Sequence, residues 1–202
     1  MNKHSSTYYT SLLLGIYLLI SSFLDLLFFK EYQNGVYALI AFVLVIVIPL
    51  LLKWLKINLS PLSINPLLVF ITIATYTGNR FNAYHRFFWY DILLHFTSGI
   101  LIALCAVDLF FPEGKKTGEK LSFILFFSFI VALASAAAWE IVEFFFDILT
   151  GNDVQRNLIV EREIFGAEWQ NSGIKDTMND IINGTVGGAI GTLLIYIKRR
   201  KR

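Results

Sequence analysis

Six separate runs of about 20 mostly apolar residues fill a chain of only 202 residues, and a helix of that length matches the hydrocarbon layer of a bilayer. In such a layer every backbone polar group must be satisfied within the span, which leaves helices as the natural spanning element for runs of this length. The runs cover about 8–29, 36–55, 66–84, 88–111, 121–149 and 174–197, with ends set to within about 2–4 residues. The third opens on Pro66, a residue suited to the first helical turn, where its missing N–H costs nothing. The expected fold class is therefore all-α: a polytopic membrane protein of six transmembrane helices in one bundle, read as a single integral membrane domain over 1–202.

Composition narrows the class further. Only 16% of residues are charged against 56% hydrophobic, and 19 Phe, nine Tyr and four Trp exceed what one soluble core of this length needs. Ordinary domains carry about 25% charge, so intrinsic disorder and a soluble nucleic-acid binder are both excluded as expectations. The single Cys105 lies in an apolar run, so no intramolecular disulfide can form and a small buried hydrophobe is the simpler reading. The first run follows Lys3 and could pass for a signal peptide, but it is too long for an h-region and Ser21-Ser22-Phe23 is a weak cleavage site.

Six spans put both termini on one side. That side would hold Lys3, Lys53, Lys56, Lys115, Lys116, Lys120 and the five basic residues 198–202, eleven in all, against six on the other: Lys30, Arg80, Arg86, Arg156, Arg162 and Lys175. The bias places both termini in the cytoplasm, and a basic tail directly after a span anchors to anionic lipid head groups. The 150–173 loop carries Phe165 and Trp169 and is expected to fold back over the outer face as a lid.

Ionisable residues inside spans mark function by default, and here they cluster. The fourth span opens with Asp91 and His95, the fifth ends through Glu140, Glu143 and Asp147, and the sixth opens with Asp176, Asp180 and Asn183. At 100° per residue each set falls within an arc of about 60°, so each helix presents one polar stripe, which a bundle turns inward. Alternating topology brings the three stripes to the same outer depth. Glu140 lies about 13 Å below the end of its helix, far from any interface. Carboxylates sharing one low-dielectric cleft need protons, basic partners such as Arg80, Arg86 or Lys175, or a bound divalent cation held by Glu140, Glu143, Asp176 and Asp180. Plainer readings stand beside these. Asp176 and Asp91 suit helix starts as caps, and Asp147 near a helix end suits a surface pair with Arg156. Asp25 and Asp108 read as interfacial, as do the aromatic-belt residues Tyr84 and His85.

Two packing signals adjoin the stripes. Residues 132–138 are dominated by small side chains, and the sixth span carries Gly184, Gly187, Gly188 and Gly191, a spacing that lets helix backbones approach closely. The last three spans are expected to form the tight core around the site, with the first three as support. The sequons at Asn58 and Asn183 fall in an inside loop and a span, and are discounted.

Asp91-x-x-x-His95, Trp139-Glu140-x-x-Glu143 and Asp176-Thr177-x-x-Asp180 before a Gly-rich helix resemble the YjdF-like family of uncharacterised bacterial membrane proteins. More distantly, they resemble the VanZ-like proteins associated with teicoplanin resistance. The resemblance covers roughly 76–195, and the segment 77–89 is shorter than its usual counterpart. VanZ-like proteins have been grouped with membrane enzymes that act on lipid head groups, so the resemblance implies a lipid or isoprenoid phosphate substrate in a bacterial cell membrane.

The leading expectation is an enzyme of lipid metabolism in the cell envelope, a head-group hydrolase or transferase. His95 would serve as base or nucleophile, oriented by Asp91. Glu140, Glu143 and Asp180 would supply acid catalysis or hold the cation, while Asn183, Asp176, Arg80 and Arg86 would bind substrate. Its partners would be membrane lipids and no nucleic acid. The rivals are a small transporter or proton pathway using the same carboxylates, and an accessory protein whose polar cluster only fixes packing.

Overall fold

A computed structural model describes residues 3–87, 89–112, 118–151, 153–155 and 172–200. Among them there is no strand, and six helices are long and apolar enough to cross a membrane. In chain order α1 is Lys3–Leu24, prolonged by a π-helical turn Asp25–Phe29, and α2 is Tyr32–Trp54. The next helix, α3, is Pro61–Thr72, running on through a second π-helical turn, Ile73–Thr77, and a last turn Gly78–Arg80. A short α4, Ala83–Arg86, precedes α5 (Trp89–Phe110), α6 (Leu121–Thr150) and α7 (Ser172–Arg200). The expected lid with Phe165 and Trp169, and the pairing of Asp147 with Arg156, lie outside the described residues.

The third span departs from its expected limits of 66–84. It begins at Pro61, so the proline pre-set for the first turn is Pro61, and Pro66 is interior. The cause is a remote acid: Asp108 Oδ2 accepts from the Ser60 N–H at 2.8 Å and from the Ser63 hydroxyl at 2.7 Å. A carboxylate at a helix start satisfies orphan N–H groups and complements the positive end of the dipole. The same span ends earlier, at Arg80, because Asn82 takes a left-handed conformation with φ 54° and breaks the helix before α4. In α7 the basic residues 198–200 are helical, extending the span beyond the expected 197.

The chain groups into two compact units. The first comprises residues 1–90 and 104–119. Its core joins α1, α2 and α3 through Leu18, Ala38, Ala41, Val45, Ile64 and Leu68. Where so much side-chain surface is apolar, the polar groups bond to backbone: Ser11 Oγ donates to the Val45 carbonyl and Ser22 Oγ to the Gly35 carbonyl. The second π-helical turn, Ile73–Thr77, is stitched in the same way. It leaves carbonyls out of the ordinary i−4 ladder, and Tyr84 and Tyr90 hydroxyls donate to the Ala74 and Ile73 carbonyls.

The second unit comprises residues 91–103 and 120–202, and its packing rests on small residues. A Cβ on Gly99 would lie 2.0 Å from the Gly184 carbonyl oxygen, and one on Gly187 would lie 1.9 Å from that of Phe96. Backbone thus touches backbone between α5 and α7. On the other flank, Gly184 and Gly188 face Ala136 and Ala132 of α6, and Ser128 and Thr192 hydroxyls meet at 3.1 Å. Close approach through small residues is what drives helix association in lipid, where the hydrophobic effect gives no help.

Candidate functional site

The small-residue seam of the second unit continues in register into its acids. On α5 the stripe reads Ala103, Gly99, His95, Asp91; on α6 it reads Ala132, Ala136, Glu140; on α7 it reads Gly188, Gly184, Asp180. Each step is four residues, about one helical turn, so His95, Glu140 and Asp180 each lie one turn from a small residue, and Asp91 one turn beyond His95. Backbones held together by glycine one turn away bring the next turn's long side chains into contact.

The result centres on His95. Its Nε2 lies 3.7 Å from Asp91 Oδ1 and 3.6 Å from Asp180 Oδ2. All three residues are shielded: His95 and Asp180 are buried and Asp91 is half-buried. Each can turn one ligand atom toward the others, with all three atoms within 4.8 Å of one another. This is the group among the described residues whose donor set could hold a metal ion. It differs in membership from the Glu140, Glu143, Asp176 and Asp180 set expected from spacing alone.

Glu140 is 3% exposed, and neither carboxylate oxygen has a hydrogen bond of good geometry, Thr177 and Gln155 being the polar side chains within reach of it. It lies within electrostatic range of Asp91, and Asp180 lies within range of Asp91, Asp176, Glu140 and Glu143. The carboxylates of three helices are therefore one electrostatic group, as the stripes imply. Glu143 is half-buried, its Oε1 accepting from the Trp139 indole N–H at 2.7 Å. Asp176 and Asn183 are half-buried on α7.

Two residues near this group take roles that the sequence did not indicate. Gln155 is buried, and its amide nitrogen donates to the Glu140 carbonyl and the Thr177 hydroxyl, both at 3.2 Å. Asp147 accepts from the backbone N–H groups of Val154 and Gln155 at 2.8 and 3.0 Å, and so folds the chain leaving α6 back over the carboxylates. Asp147 was legible only as an acid near a helix end, and Gln155 only as a polar loop residue.

Arg80 and Arg86 belong to the first unit. Arg86 is exposed on α4. Arg80 Nε donates to Asp25 Oδ1 at 3.0 Å and its guanidinium lies over the Phe29 ring, while the Tyr76 hydroxyl donates to Asp25 Oδ2 at 2.9 Å. Asp25 is 1% exposed, a buried partner rather than the interfacial residue its place near a helix end suggests. Both oxygens are paired, the arrangement a buried carboxylate requires.

No curated protein and no solved structure matches the chain. A family model described as "Predicted membrane protein (DUF2238)" matches residues 9–201, which span both units, all six long helices and every residue of the His95 group. The chain belongs to this family of predicted membrane proteins, the YjdF-like family that its three motifs resemble.

Proposed function

We propose that this integral membrane protein is an enzyme acting on the phosphate-bearing head group of a lipid or isoprenoid, with the His95 group as its reacting centre. One observation carries the reading: an imidazole between two carboxylates, deep in a helical bundle, with the carboxylate of Glu140 buried and without a well-formed hydrogen bond beside them. A merely structural polar cluster pairs its members, since an unpaired buried carboxylate is costly. Strain of that kind is tolerated where it serves chemistry.

In this reading the His95 imidazole faces the reacting group, and Asp91 and Asp180, both against its Nε2, fix its orientation and offset positive charge that develops on it. Glu143, Asp176 and Asn183 line the approach for the head group. In this reading this end of the bundle is at the outer face of the cell membrane and both termini are in the cytoplasm, an orientation that the charge bias of the loops supports. A VanZ-like relation accords with a lipid substrate by analogy alone.

The test is lipid profiling of membranes from cells lacking the protein, complemented with wild type or with His95→Ala at equal abundance. A head-group species restored by wild type and not by His95→Ala supports the enzyme and names its substrate class. An unchanged profile overturns it and favours the proton or ion pathway, for which the buried Glu140 is the specific argument. Flux into proteoliposomes, abolished by Glu140→Gln, would then be the observation to seek.

A further inference from the structure

Resting on the same group of residues, we infer that Asp91, His95 and Asp180 form a divalent-metal site that takes a borderline first-row ion such as Zn²⁺ or Mn²⁺. Three donors are contributed by two helices, and their ligand atoms lie within 4.8 Å of one another with His95 Nε2 between the two carboxylates. Ligands of a tetrahedral ion with bonds near 2.0–2.1 Å stand about 3.4 Å apart. The 3.6 and 3.7 Å separations are thus a few tenths of an ångström from a closed shell. Hydrogen bonds of that length would be poor ones, so the spacing suits an ion in the middle better than direct contact.

Charge balance points the same way. A neutral imidazole with two carboxylates cancels a divalent ion's charge, and Glu140 adds a further acid with no well-formed hydrogen bond of its own. The Glu140 carboxylate, only 3% exposed, is the group that accepts a hydrogen bond from water on the ion. The donor set selects the metal class: imidazole disfavours Mg²⁺ and Ca²⁺, and the absence of thiolate from the trio disfavours Cu(I). The seam explains why the site is preformed. With Gly99 against Gly184, the donors one turn beyond have little freedom to separate.

The experiment uses the full chain, purified in detergent, stripped with chelator and titrated with Zn²⁺ and in parallel Mn²⁺ and Mg²⁺. Stoichiometry is read by elemental analysis after desalting and stability by thermal unfolding. One Zn²⁺ or Mn²⁺ per chain is expected, with a metal-dependent rise in Tm and at least tenfold weaker Mg²⁺ binding. Asp180→Asn and His95→Gln should each abolish stoichiometric binding, Glu140→Gln should weaken it about 10–100-fold, and the exposed Glu119→Gln should leave it unchanged.

Absence of saturable Zn²⁺ or Mn²⁺ binding, or binding indifferent to Asp180→Asn and His95→Gln, overturns the site. Should those variants not fold, Co²⁺-loaded wild type decides. An X-ray absorption spectrum with one imidazole and the rest oxygen is expected, and a sphere without imidazole overturns it. The two readings fail separately. A stoichiometric metal with an unchanged lipid profile keeps the site and removes the lipid enzyme. A lipid change in protein that binds no metal does the reverse.

Discussion

At the scale of single residues, two of the buried acids of the spans, Asp25 and Glu140, behave oppositely. Asp25 has both oxygens paired, so its removal strands partners rather than relieving charge. Asp25→Ala should cost about 1–3 kcal/mol in denaturant unfolding in micelles. Tyr76→Phe, which leaves the Arg80 pair intact, should cost about 0.5–1.5 kcal/mol. Glu140 has no well-formed hydrogen bond, and Glu140→Gln removes a negative charge beside Asp91 and Asp180 while offering them N–H donors. In metal-free protein this variant should melt above wild type, and with Zn²⁺ present the order should reverse. A Glu140→Gln protein that is less stable in chelator would mean that its carboxylate has a structural partner. None of the Asp25 pairing was legible beforehand, because Arg80 and Tyr76 lie more than 50 positions from it in the chain. The polar stripes of Asp91/His95 and Asp176/Asp180 were legible, because they repeat at helical spacing on single elements.

At the scale of elements, hydropathy alone set α5 and α6 to within a residue of their ends, since charged or polar residues bound α6 on both sides and follow α5 within a few positions. It misplaced the start of α3 because the group that caps it, Asp108, arrives from another helix. Asp108→Asn should therefore destabilise the first unit by about 1 kcal/mol while leaving metal binding untouched, both readable in one thermal titration. The seam gives a contrasting pair. Gly99→Ala forces a Cβ to within 2.0 Å of the Gly184 carbonyl, backbone that cannot yield, so overpacking of about 1–3 kcal/mol should come with lost metal affinity. Gly151, with φ 70° in open space at the end of α6, should cost about 1 kcal/mol as Ala through backbone strain alone, with affinity retained. If both variants bind Zn²⁺ like wild type, the seam does not position the donors.

At the scale of the whole molecule, even the number of spans is a prediction that can be read. Glu31 and Glu119 follow α1 and α5, so they fall on opposite sides of a six-span protein whose termini share a side. In a Cys105→Ser background, a membrane-impermeant thiol reagent should modify Glu31→Cys in intact cells and Glu119→Cys only after lysis. The reverse pattern would turn the His95 group toward the cytoplasm and change which leaflet supplies its head groups.

The place where α5 and α7 touch most closely has a mechanical meaning as well. Two rods pressed together over a short stretch, here Gly184 to Gly191, can rock about it, and whatever lies near the fulcrum scarcely moves. Asp180 is four residues from Gly184, about 6 Å along the axis, whereas Arg200 is about 24 Å away. A 10° tilt would shift the first by about 1 Å and the second by about 4 Å. The imidazole and its acids thus sit beside the still point of the bundle. Such a place keeps its side chains in register while the ends of the helices move.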